Sequence, residues 1–137
     1  MRGFAWIANA LSGKRKYRIK TVKFGRHLFR VEIADSLGKM SRGLMGREGL
    51  GKDQGMLFVF GRDGKHPFWM LNMKFSIDII WLDKDGKIVH IANSAKPCKS
   101  MFSCRQIEPR ENSRYVLEFA AGTEKRINAK RGGRFGL

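Results

Sequence analysis

The run Ile77-Asp78-Ile79-Ile80-Trp81-Leu82, the turn Asp83-Lys84-Asp85-Gly86 and the return Lys87-Ile88-Val89-His90-Ile91 constrain this chain more than any other feature. Two short apolar runs separated by a tight glycine-ended turn predict a β-hairpin. The pattern recurs. Tyr17, Ile19 and Thr21 alternate with charged residues, and beyond Gly25-Arg26 the residues His27, Phe29, Val31 and Ile33 alternate with Leu28, Arg30, Glu32 and Ala34. Period two over that length predicts another hairpin with one buried face. Met56-Leu57-Phe58-Val59-Phe60, unbroken between Gly55 and Gly61, predicts a central strand covered on both sides. Phe68-Trp69-Met70-Leu71 predicts a strand that begins after Pro67 or lies at an edge. Arg105 to Ile107 and Arg114 to Phe119 read as the last strands.

Helical spacing is confined to short stretches. Leu37, Met40 and Leu44 with Met45 predict a small amphipathic helix, capped by Asp35 or Ser36 and ended by Gly46 or Gly49. Gly122 to Ile127 predicts a turn or two capped by Thr123. The expected class is mainly β: a compact β-sandwich or partly open barrel with one or two short helices.

At 137 residues and 42% apolar, the chain can bury one core. We expect a single β-rich domain over residues 17–137, preceded by a flexible or weakly amphipathic basic segment over 1–16. That segment places Phe4, Ile7, Ala8 and Leu11 on one helical face, but Asn9 and Gly13 interrupt it and Lys14-Arg15-Lys16 follow. It is no convincing signal peptide or transmembrane helix, which slightly favours a cytoplasmic location.

Twenty-eight Lys and Arg against 12 Asp and Glu give a formal charge of +16. Such a surface attracts anions at long range, so weak non-specific contact with nucleic acid or an anionic surface is one expected partner class. Phe24, Phe29, Phe68, Trp69 and Phe102, interleaved with basic residues, are what a single-strand binder would stack bases on, and also what a β core needs.

Three histidines limit acid-base and metal chemistry. His66, His90, Cys98, Cys104 and Asp78 lack close metal-ligand spacing, so no metal site is assigned. No phosphate loop, dinucleotide fingerprint or catalytic triad is present, and neither a cofactor nor a catalytic residue is assigned. A hydrolase of unknown substrate stays as an alternative, because Lys96 and Lys99 would favour a Cys98 thiolate. Cys98 and Cys104 are open to three readings: free thiols, a disulfide contributing about 2 kcal/mol, or metal ligation.

Asp78 is the most informative acid. It shares a side of its strand with Ile80 and Leu82, where a carboxylate must be hydrogen-bonded or open into a pocket. The structural reading has it accept backbone N–H groups that hold a loop. The functional reading groups it with Asn72 and His66 in a polar cleft walled by Trp69, Met70 and Trp81.

Arg42-Gly43-Leu44-Met45-Gly46-Arg47, Gly55 to Phe60, Phe68 to Asn72, Ile77 to Val89 and Tyr115 to Thr123, in this order, resemble the family numbered 192 among domains of unknown function. The resemblance spans residues 22 to 135 and implies a mainly β, sandwich-like domain without an established activity. Members often follow a secretion signal or lipid-attachment segment. The family's cysteine loop corresponds to Cys98 and Cys104, with one extra intervening residue. Arg42, Trp69, Asn72 and Asp78 match its recurrent polar and aromatic positions. The leading expectation is therefore a binding module for a small polar ligand or glycan, its cleft near Asp78 and built from Arg42, His66, Trp69, Asn72 and Asp78.

Overall fold

A computed structural model describes residues 17–137, and the expectation for residues 1–16 lies outside the described residues. The elements are β1 (Ile19–Phe24), β2 (His27–Ala34), α1 (Leu37–Arg42), β3 (Gln54–Gly64), β4 (Ile77–Leu82), β5 (Ile88–Ala95), β6 (Ser113–Ala120) and α2 (Thr123–Arg126). One six-stranded sheet has the order β1-β2-β3-β6-β4-β5. Among the named strands of the described residues only the β2–β3 pair is parallel, and α1 with its following loop provides the crossover such a pair needs. The mainly β class with two short helices is as expected, and the sheet is open, not closed into a barrel.

Alternation sorts side chains onto two faces. Val22, Phe29, Val31, Leu57, Ile80, Leu82, Leu117 and Phe119 form one core with Ile127 and Phe135 from the C-terminal residues. Met56, Phe58, Ile77, Ile79, Trp81 and Val116 form the other, with Leu44 and Met70 packed over them. All six residues of β4 are buried. Burial on both sides explains its continuous apolar character. The residues after α2 then run across the first face, bonding Gly133 O to Ile88 N at 2.8 Å and exchanging bonds between Gly136 and Lys23 at 2.8 and 3.0 Å. They thereby connect the hairpin turn of β4 and β5 with the edge strand β1.

Gly55 is required where β3 meets β6, because a Cβ there would lie 2.7 Å from both Glu118 O and Phe119 Cδ1. Local expectations fared unevenly. Ser36 caps α1, its Oγ accepting from Lys39 N at 3.3 Å, but the helix stops at Gly43, before Gly46. Gly43 has φ +50, and its backbone passes beneath the Phe58 ring. Phe68–Leu71 and Arg105–Ile107 form only isolated bridges, Phe68 with Ile107 and Leu71 with Cys98. One pair of backbone bonds between Phe68 and Ile107, at 2.9 and 2.6 Å, stands where a ladder is expected. Thr123 does not cap α2: its hydroxyl donates to Ala120 O at 2.7 Å, and Gly122 occupies the cap position. Cys98 and Cys104 are joined as a disulfide.

Candidate functional site

Asp78 lies on the first face, beside Ile80 and Leu82, and is completely buried. Oδ1 accepts from Ser94 N of β5 at 2.8 Å, and Oδ2 from Glu124 N in the first turn of α2 at 2.9 Å. The carboxylate thus supplies the cap that Thr123 does not, and it fastens α2 to the sheet. The cleft expected around Asp78 is not formed. Trp69, Met70 and Trp81 belong to the opposite face, so β4 itself separates Asp78 from its proposed companions.

The other expected residues separate as well. Asn72 is exposed with φ +61, and its backbone N–H donates to Cys98 O at 3.1 Å. Asparagine tolerates that left-handed turn better than most residues, which accounts for its type without a ligand. His66 is half-buried, stacked on Phe60 at 3.8 Å, with its Nε2 3.0 Å from Arg62 O. Its carbonyl accepts from Trp81 Nε1 at 2.9 Å. No hydrogen bond or ion pair among the described residues joins Arg42 to Asp78.

Arg42 and Trp69 do meet, at a cavity of about 340 Å³ on the second face. One wall is α1 and the residues after it, with Leu37, Met40 and Arg42. The other is Pro67 to Met73, with Trp69 at the mouth, and Phe58 and Phe60 of β3 lie beneath. Methionine and aromatic side chains make this lining both apolar and adaptable. Leu37 at 82% exposure and Trp69 at 37% leave the mouth open to solvent.

Glu118 of β6 lies in the floor. It is 5% exposed, and its Oε1 has no hydrogen-bond partner among the described residues. Burial pushes its carboxyl up to about 8, against the opposing pull of the Arg47 guanidinium. Arg47 is itself held by Glu32, with Nη1 2.7 Å from Oε1 but not in hydrogen-bond alignment. At neutral pH Glu118 is therefore mainly a neutral carboxyl, able to donate one hydrogen bond and accept others inside an apolar cavity. Glu118 is not among the site residues expected from sequence. The available signal was the one that flagged Asp78: a lone acid inside an apolar strand, here Tyr115-Val116-Leu117-Glu118-Phe119.

The aromatic series does not make a stacking face. Phe29 is buried, Phe24 and Phe68 pack against opposite cores, and only Trp69 and Phe102 are exposed. His90 sits against Trp81 at 5.2 Å, with its pKa lowered by burial and by Arg131 and Arg110.

Residues 19–137 match the model of the DUF192 family, described as Uncharacterized ACR. A UPF0127 protein of Thermococcus gammatolerans is 29% identical over 107 residues, covering 74% of this chain. The match takes in 62% of that protein's length. A crystal structure of a candidate transcription regulator from Sinorhizobium meliloti superposes with TM-score 0.82 at 35% identity, covering 90% of this chain and 96% of that one. A protein of unknown function from Novosphingobium aromaticivorans gives 0.80 at 30%, covering 87% and 85%.

Proposed function

The chain belongs to the DUF192 family, and we propose that it acts as a small binding module whose ligand is amphipathic: an apolar body with an uncharged polar head. The observation that carries this reading is the buried, unpartnered Oε1 of Glu118, whose side chain lines the same cavity as Met40, Phe58, Phe60 and Trp69. An unsatisfied buried polar group costs about 1–3 kcal/mol, which a ligand amide or hydroxyl would recover by drawing the Glu118 carboxyl round to meet it. The apolar walls supply area for the body, and Trp69 and Arg42 at the mouth select its orientation. The lining shifts the expected ligand from a polar molecule or glycan to a partly apolar one, because three methionines and several rings offer few groups to sugar hydroxyls.

Titration with short N-alkyl amides, followed by NMR and Trp69 fluorescence, tests this reading. We expect saturable shifts at Met40, Met73 and Trp69, and binding about tenfold weaker in Glu118→Leu. Shifts centred on Asp78 and Ser94, or no saturation by any amide, would overturn it.

A further inference from the structure

The loop closed by the Cys98–Cys104 disulfide carries the most exposed large apolar side chains near each other in sequence, Met101 at 69% and Phe102 fully exposed. Its base is anchored to the main body: Cys98 N donates to Met70 O at 3.2 Å, and Asn72 N to Cys98 O at 3.1 Å. Its apex is a tight turn in which Cys104 N donates to Ser100 O at 3.0 Å and Ser103 N to Ser100 Oγ at 3.2 Å. A cross-linked, internally bonded turn presents Met101 and Phe102 with little ordering left to do when they are buried.

The charge around this tip has one sign. Residues 86–107 contain no Asp or Glu, whereas Lys96, Lys99 and Arg105 flank the disulfide and are exposed. Among the described residues, no ion pair involves any of these three cations. We propose that the Met101–Phe102 tip inserts into an anionic lipid surface while Lys96, Lys99 and Arg105 meet its headgroups. Either signal alone is weak; an apolar wedge and a basic collar together give stable, salt-sensitive attachment. A nucleic acid fits the tip less well, because sequence-tolerant strand binding needs successive stacking rings and this turn offers one ring beside a thioether. The attachment is independent of the Glu118 cavity, so either can fail without the other.

Co-sedimentation of the full chain with phosphatidylcholine vesicles, with and without phosphatidylglycerol, tests the assignment. We expect binding only to the anionic vesicles, weakened by salt, and about tenfold weaker in Phe102→Ser. Phe102→Trp should keep binding and add blue-shifted emission that brominated lipid quenches. The wild-type circular dichroism spectrum should persist in both variants, since the side chain is outside the core. The proposal is overturned by absence of vesicle binding, by anionic-vesicle binding that Phe102→Ser and Met101→Ser leave unchanged, or by Phe102-dependent binding of a single-stranded oligonucleotide with none to vesicles.

Discussion

Asp78 and Glu118 are both acids within apolar strands, on adjacent strands and one register position apart, Ile79 facing Glu118. Their environments are opposite. Asp78 points to the face covered by α2 and the C-terminal residues, and two backbone N–H groups take its oxygens. Glu118 points to the face where α1 and residues 67–73 stand apart, it lines the cavity there, and its buried Oε1 has no hydrogen-bond partner among the described residues. Burial by itself therefore does not distinguish a structural acid from a candidate binding acid. What distinguishes them is whether the covering layer brings donors.

The largest expected effect breaks the Asp78 side. Asp78→Ala removes a buried carboxylate that two backbone N–H groups bond, those of Ser94 and Glu124, and should destabilise by about 4 kcal/mol in urea unfolding. Glu118→Leu should be neutral or slightly stabilising, since it removes a carboxyl that the fold leaves unsatisfied. Equal losses in the two variants would mean that Glu118 also has a hidden structural partner. Reducing the Cys98–Cys104 bridge, which closes a short loop, should destabilise by about 2 kcal/mol, read from melting with and without dithiothreitol. Hydrogen exchange should then rise at Met70 to Asn72 by the cavity and stay unchanged at Ser94 and Glu124.

Per pH unit, a smaller effect sharpens the contrast through titration. Glu118 keeps its proton to about pH 8 in the fold, against an ordinary value of 4.5. Between those values the folded chain holds more protons than the unfolded one, so this group's stabilising contribution, complete below 4.5, is lost as pH rises through 8. The slope is at most about 1.4 kcal/mol per pH unit, and Glu118→Gln should remove it. The difference between the wild-type and Gln curves isolates it from His90, whose lowered pKa acts in the other direction, losing stability as pH falls. Parallel curves for the two proteins would sink the protonated-carboxyl reading. Smallest of all, Thr123→Ala should cost about 1 kcal/mol, because one hydrogen bond to Ala120 O is lost while Asp78 still holds α2.

Much of the fold was legible because strand patterns are local. The alternation in Phe29, Val31 and Ile33, and the turn ending at Gly86, announce their elements whatever the surrounding chain does. Phe68 to Leu71 depart from the strand expected of them for the same reason. Their apolar run resembles a strand, but it is placed by bridges to Ile107 and Cys98, far away in sequence. The site was only half legible. Arg42 and Trp69 line the cavity, whereas Asn72 and His66 serve turns and stacking beside it.

From residue order alone came the β class, the short helices and the requirement that an acid among Ile77, Ile79 and Ile80 be given partners. Tertiary structure decided who those partners are. Side chains two apart share a face, but nothing local says which distant segment will cover it. The amides of Ser94 and Glu124 reach Asp78, and the open space reaches Glu118, only after β5, α2 and α1 have packed.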